Sequence, residues 1–215
     1  MYIKTLFLST LVVLASFEMS AQNTGKAEQI LTKASEAYNK SGGIKATFSI
    51  QMLSRGGSTN GKISGSIQLK GPRFKISTSD MITWFDGNNQ WVYIKANEEV
   101  NLSKPTQKEL LTINPINIFQ LYKHGYSCKL LGEKTEKGAR VYQIEMKPSK
   151  NEGAQTILVK IDKTTYYPIG ATTTNKDKSG TIVQILSYQT KQNYPDGIFT
   201  FNPKNHPDAE VIDLR

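Results

Sequence analysis

From Ile44 onward the chain adopts a hydropathy period of two and, with one interruption, keeps it almost to its end; no other feature constrains the fold as strongly. Ile44, Ala46, Phe48, Ile50 and Met52 alternate with Lys45, Thr47, Ser49 and Gln51, the pattern of a strand with one buried face. Further strands are expected over Lys62–Lys70, Arg73–Thr78, Met81–Phe85, Gln90–Ala96 and Glu99–Leu102. After the interruption come Tyr126–Gly132, Arg140–Lys147, Thr156–Asp162, Pro168–Asn175 and Thr181–Gln189. The connectors SRGGSTNG, GEKTEKG, KPSKNEG and NKDKSG are polar and turn-prone, as antiparallel neighbours require. Strand never alternates with helix, so the βαβ units of a parallel sheet are excluded and an antiparallel meander remains. There is no repeat period and no linker.

Two segments follow a helical period instead. Ile30, Leu31, Ala34, Ala37 and Tyr38 recur on one stripe, and Gly42-Gly43 ends that run. The interruption, Ser103 to His124, reads as two helical pieces. Thr106 and Glu109 form a capping box ahead of Leu110-Leu111, with Pro105 near the start. The second piece has Asn114 as N-cap, Pro115 at the first helical position and Gly125 after the end. Between these caps lie Ile116, Ile118, Phe119, Leu121 and Tyr122, a short and very apolar helix.

The N-terminal MYIKTLFLSTLVVLASFEMSAQ has an early Lys4, an apolar run from Leu6 to Ala15 and small residues at Ser20-Ala21, the layout of a secretory signal peptide. Residues 1–21 are expected to be removed at Ala21/Gln22, leaving 22–215 as a single domain. The run is too short for a spanning helix, which needs roughly 20 apolar residues. Gln22 is not a cysteine, so the exported chain has no lipid-attachment site there and is expected to be soluble. The only cysteine, Cys128, allows no disulfide and reads as a small buried hydrophobe. The net charge of +9 survives cleavage because Lys4 and Glu18 leave together. The lysines are scattered, as at Lys45, Lys62, Lys95, Lys129 and Lys160, with no arginine stripe and no nucleic-acid motif.

WFDGNNQWVY, Trp84 to Tyr93, holds both tryptophans around a turn. With a two-residue loop at Gly87-Asn88 or Asn88-Asn89, Trp84 falls opposite Trp91 or Tyr93. In either register Ile82, Trp84, Trp91 and Tyr93 share one face, and Phe85, Val92 and Ile94 share the other. Both faces are apolar, so something must cover the second, and the N-terminal helix and the insert are the available covers. Either the core is solid or the covers enclose a pocket for an apolar ligand.

Catalytic signals are weak. His124 sits at a helix end and His206 in the Pro-containing tail, and there is no triad, nucleophile elbow, HExxH, phosphate loop or metal-ligand cluster. Asp80 and Asp86 each occupy a turn, where aspartate bonds its own backbone. The chain reads as a non-enzyme without cofactor or metal, a hydrolase on lipid or glycan being the third option.

LKGPRFKIS (Leu69–Ser77), FDGNNQWVY (Phe85–Tyr93), INPINIFQLY (Ile113–Tyr122) and FTFNPKNHPDAEVIDLR (Phe199–Arg215) resemble, in order and spacing, the motifs of the LolA-like periplasmic lipoprotein carriers, in the divergent Bacteroidetes form. The resemblance implies an α+β fold: a strongly curved antiparallel sheet of about 10–11 strands, an incomplete barrel, with an N-terminal helix and a helical insert as lid. It implies a periplasmic carrier that holds lipoprotein acyl chains in an apolar cavity and moves them from the inner to the outer membrane. Acylated lipoproteins, an inner-membrane ABC-type release complex and an outer-membrane acceptor or membrane surface would be its partners; nucleic acid would not. Expected cavity residues are Phe48, Ile50, Ile67, Leu69, Trp84, Trp91, Tyr93, Tyr142 and Ile144, with Ile116, Ile118, Phe119 and Tyr122 on the lid. The family's arginine before the proline is Gly71 here, with Lys70 and Arg73 on either side of Gly71-Pro72 as the candidate latch region. The alternative is an envelope lipid-binding or interaction module with a solid core and no lipoprotein cargo.

Overall fold

In a computed structural model, the described residues are 22–106, 109–110, 115–136, 138–149 and 155–215, without the side chains of 115–117. An α-helix, α1, covers residues 22–39. The strands are β1 Ile44–Leu53, β2 Thr59–Lys70, β3 Arg73–Thr78, β4 Met81–Phe85, β5 Gln90–Ile94 and β6 Glu99–Ser103. There follow an insert helix of 3₁₀ geometry at Pro115–His124, then β7 Tyr126–Glu136, β8 Ala139–Pro148, β9 Thr156–Asp162, β10 Pro168–Thr174, β11 Gly180–Gln189 and β12 Glu210–Asp213. All 12 strands form one open, curved sheet in the order β12-β6-β5-β4-β3-β2-β1-β11-β10-β9-β8-β7. Neighbours are antiparallel except for β12, which runs parallel to β6.

Two meanders, β1–β6 and β7–β11, are joined where β1 pairs with β11. Because β6 lies next to one edge and β7 forms the other, the segment between them must traverse the sheet, and the insert helix packs on the same face as α1. That inner face holds the main core. α1 contributes Ala27, Ile30, Leu31, Ala34 and Tyr38, the insert Phe119 and Leu121. The sheet supplies Ile44, Phe48, Leu69, Phe74 and Phe85 from one meander and Ile144, Met146, Val159 and Ile161 from the other.

Several local expectations correspond to observed bonds. The Thr106 amide donates to the Glu109 carboxylate at 2.7 Å and the Glu109 amide to Thr106 Oγ1 at 3.3 Å, closing the capping box. Gly125 has φ +86 after the insert. Asn114 lies outside the described residues. Asp86 Oδ1 accepts from the amides of Asn88 and Asn89, both at 2.8 Å, and fixes a two-residue loop with Gly87 at φ +105. Asp80 lies at the other end of β4, so the two carboxylates form no pair.

Three elements differ from the sequence expectation. β2 begins at Thr59, which pairs with Leu53 across a register shift. GEKTEKG does not form the turn its polarity suggests: β7 continues through Glu136. Its charges are satisfied across strands, Glu133 by Arg140 and Lys163, and Glu136 by Lys160. EVID in the tail, too short to show a period, becomes β12 by adding to the free edge of β6.

The tail straps the outer face. The Lys191 amide donates to Ser41 O at 2.8 Å. Lys70 Nζ then donates to Tyr194 O at 2.6 Å, and Arg73 Nη1 lies 2.8 Å from Asp196 Oδ1. Beyond these, Phe201 and His206 cover Trp84 and Tyr93, with ring centroids 4.6 Å apart for His206 and Tyr93. The Leu214 amide closes the strap on Leu102 O at 2.8 Å.

This packing can be tested at two places. A Cβ at Gly65 would stand 2.5 Å from Ser77 O and 2.7 Å from Phe48 Cζ; Gly65→Val should therefore cost about 1–3 kcal/mol in denaturant unfolding, and an unchanged midpoint would refute the close packing. Hydrogen bonding from Arg73, then its charge and Lys70, hold the Asp196 carboxyl below the ordinary aspartate range. A depressed pKa contributes stability above the unfolded value and loses it as pH falls through the folded one. Protection of the Gln192, Ile198 and Thr200 amides should thus persist from neutral pH to below the ordinary aspartate pKa, and Asp196→Asn should reduce it across that range, the two proteins converging once Asp196 is protonated. Equal protection in both proteins across that range would show that the ion pair does not hold the strap.

Candidate functional site

The candidate site is the inner face where α1, the insert and the sheet meet. Residue parity decides what reaches it. Phe74 pairs with Leu69 and with Phe85, so these rings point inward, while Lys75 and Trp84 point outward. Trp84 then pairs with Trp91 and Ile82 with Tyr93.

The structure consequently divides the residues expected to line one cavity. Phe48, Ile67, Leu69 and Ile144 are buried in the inner cluster, with Ile50 and Tyr142 packed against them. Phe119 of the insert is buried there, and Ile118 and Tyr122 border it; the Ile116 side chain lies outside the described residues. Trp84, Trp91 and Tyr93 do not belong to this site. They form a second cluster on the outer face with Val100 and Phe201, covered by the tail. Both hairpin faces are apolar, but the second cover is the C-terminal strap, which a local hydropathy pattern cannot announce. Phe74 and Phe85, with centroids 5.3 Å apart, take the inner positions instead. Phe85 was legible as the apolar residue of opposite parity to Trp84.

The inner face continues past the covered core. Toward the hairpin at Ser54–Ser58 it presents half-buried Ile50, Ile63, Ile76, Val92, Ile94 and Val183. It ends at Met52 and Met81, 40% and 43% exposed. One apolar surface therefore runs from a fully buried centre to an exposed rim.

Polar groups at the core stay neutral. The Tyr38 hydroxyl donates to Gly71 O at 2.5 Å, and burial pushes its pKa up to about 12. Tyr188 is also pushed up, by burial first and then by Tyr167 and Tyr38. Burial, followed by the charge of Glu28, raises the Cys128 thiol to about 11, so this buried cysteine is a packing group rather than a nucleophile. Among the described residues no cluster of His, Cys, Asp and Glu could hold a metal ion. His124 is exposed, and His206 is stacked among outer-face rings.

Among the described residues, polar contacts join the covers to each other and to the sheet. Thr32 Oγ1 and Tyr122 OH are 3.1 Å apart, linking α1 to the insert. Lys33 Nζ donates to Tyr166 OH at 3.5 Å, and Tyr166 stacks on Tyr142. Two hollows flank α1, one of about 220 Å³ beside Tyr38, Gly43 and Lys70 and one of about 520 Å³ beside Glu28, Lys33 and Tyr122. Both have walls of mixed polarity and lie beside the apolar core.

The candidate latch region has a different contact from the one its family analogue implies. Gly71 stands at φ +56 and offers its carbonyl to Tyr38, tying the β2–β3 turn to the end of α1. Lys70 and Arg73 pair with each other across β2 and β3 and turn to the outer face, where both meet Asp196. Their ion-pair partner lies in the tail.

Two solved structures share this architecture. A solved structure of an uncharacterized conserved protein from Thermus thermophilus matches with a TM-score of 0.60 at 12% identity, over 87% of this chain and 99% of that one. The Mycobacterium tuberculosis lipoprotein LppX matches with a TM-score of 0.50 at 12% identity, over 80% of this chain and 98% of that one. A putative outer membrane lipoprotein-sorting protein domain from Vibrio parahaemolyticus matches with a TM-score of 0.46 at 15% identity, over 86% of this chain and 100% of that one. No curated protein matches the sequence. The family model described as outer membrane lipoprotein carrier protein LolA matches residues 16–180, and by that match the chain belongs to the LolA family.

Proposed function

We propose that this protein is a periplasmic carrier that shelters the acyl chains of lipoproteins between its sheet, α1 and the insert, and moves them from the inner to the outer membrane. The observation that carries this reading is the continuous apolar inner face, buried at Phe48, Leu69 and Phe119 and exposed at the Met52 and Met81 rim. Acyl chains cannot cross water unaided, since each buried methylene is worth about 0.8 kcal/mol. Because α1 and the insert lie over the buried centre of this face, a chain reaches it when these covers move. Among the described residues α1 and the insert pack in one apolar cluster and share the Thr32–Tyr122 bond, and the insert has the weaker hydrogen-bond geometry of a 3₁₀ helix. Apolar contacts exchange for acyl contacts with little net change, which suits a carrier that must also release its cargo.

Residues 1–21 act as a cleaved signal peptide and 22–215 as the single carrier domain. Among the described residues no helix is long and apolar enough to cross a membrane. An inner-membrane ABC-type complex loads the carrier, and an acceptor or the outer membrane itself receives the cargo. Release does not depend on an arginine before the proline, since Gly71 occupies that position.

The contiguous buried cluster on the inner face also favours a second reading, an envelope interaction module with a solid core. Native mass spectrometry of protein isolated from its own periplasm separates the two: acylated polypeptide in stoichiometric complex supports the carrier, and protein that is bare and also refuses apolar probes supports the module. Phe119→Asp should abolish binding of a fluorescent acylated peptide, while Trp91→Ala, on the outer face, should leave it within about two-fold. Equal losses would remove the inner-face assignment. Tyr122→Phe, by deleting the bond to Thr32, should speed acyl uptake a few-fold, as expected for a hydrogen bond worth about 0.5–1.5 kcal/mol. An unchanged uptake rate would mean that this bond does not restrain the insert.

A further inference from the structure

Strands β5, β4, β3, β2, β1, β11 and β10 lie side by side in the sheet, and none of them contains an aspartate or glutamate. Every acidic residue on a strand falls outside this block, on β6–β9 or β12. The block carries Lys45, Lys62, Lys70, Arg73 and Lys75, all on β1–β3. Register puts them on one face. Lys45 pairs with Gln68, Gln68 with Lys75 and Lys75 with outward-facing Trp84; Lys62 shares the parity of Gln68, and Lys70 pairs with Arg73. The face is the outer one, opposite α1 and the insert.

The tail satisfies Lys70 and Arg73 through Asp196. Lys45, Lys62 and Lys75 have no carboxylate partner among the described residues. Lys75 is the telling case: it is half-buried, its ammonium lies 5.5 Å from the Trp84 ring, and burial lowers its pKa. A desolvated cation without a counter-ion gains most from an external anion. Around these lysines the outer face is carpeted by Thr47, Ser64, Ser66, Gln68 and Ser77. These are small neutral hydrogen-bonding groups that do not repel phosphate.

We propose that the outer face of β1–β3 is a docking surface for an anionic lipid bilayer. The cations are spread over a broad sheet face rather than gathered in a groove, so they supply charge without shape or register, which matches a bilayer better than a folded partner. Docking by this face leaves α1 and the insert free to move. The inference is independent of the acyl-chain reading, because headgroups touch only the outer face.

The test is sedimentation of the purified protein with vesicles of phosphatidylcholine alone and of equal parts phosphatidylcholine and phosphatidylglycerol, at low and high salt. Binding to the anionic vesicles only, lost at high salt, is expected. The exposed pair Lys45→Gln/Lys62→Gln should weaken it on the order of 20-fold, and a control pair on edge strand β7, Lys129→Gln/Lys134→Gln, should change it little. Folding of each variant is checked by its unfolding midpoint, and Lys75→Gln alone should weaken binding several-fold, as a second readout. Equal losses in the two pairs would assign the binding to net charge and overturn the face assignment, and absence of binding to anionic vesicles at low salt would overturn the proposal outright. Preference for soluble polyglutamate over anionic vesicles would assign the face to an acidic polypeptide and also overturn it. The vesicles carry no lipoprotein, so failure here leaves acyl-chain binding untouched, and failure of acyl-chain binding leaves this test untouched.

Discussion

The pairing of β1 with β11 is the constraint on which the rest of the molecule depends. Each meander alone is a small sheet with half an apolar face and two free edges, and neither half could bury α1. Joining Ile50 to Val183 and Phe48 to Ile185 makes one inner face wide enough for a helix and an insert together. The link closes most of the chain into a loop, an entropic cost that grows only slowly with length. It also decides where the insert goes. With β1 and β11 central, β6 and β7 are driven toward opposite edges, and the chain between them has to cross the inner face. The cover is thus a product of topology before it is a product of affinity.

The two faces of this sheet differ in what holds their covers. On the inner face, α1 and the insert pack through apolar side chains, and among the described residues the Thr32–Tyr122 bond joins them. On the outer face, the tail is fixed by backbone bonds to Gly43 and Leu102, by Asp196 against two cations, and by a parallel strand on β6. Directional bonds hold one geometry, whereas apolar packing tolerates rearrangement when comparable apolar groups replace it. The strap is therefore held by directional bonds, and α1 and the insert meet the sheet in an apolar cluster. The division separates the surface that would accept cargo from the surface that carries the basic charge.

Much of this is legible locally. Period-two alternation finds β1 and the strands after it, the Thr106–Glu109 spacing finds the capping box, and the Gly-Asn-Asn turn narrows the hairpin to two registers, of which the structure takes the one that pairs Trp84 with Trp91. The differences share a cause. Glu133 and Lys134 read as a turn because the partners of Glu133 are contributed from elsewhere, Arg140 by β8 and Lys163 by the turn after β9. EVID reads as tail because β12 exists only against the edge of β6. Trp84, Trp91 and Tyr93 are expected beside Phe48 and Ile144 because alternation shows that two residues share a face within a hairpin, but not which side of a sheet that face becomes. That assignment needs the chain of pairs from Trp84 through Lys75 and Gln68 to Lys45.

By itself the sequence determined the antiparallel class, the two helical segments, the apolar character of both hairpin faces and the acid-free composition of the central strands, because each of these is set by neighbours a few residues apart. Only the tertiary structure decided the β1–β11 junction, the assignment of each hairpin face to a cover and the gathering of scattered lysines onto one surface. Those depend on register between distant strands, and a shift of one residue would have exchanged the two faces without changing any local pattern.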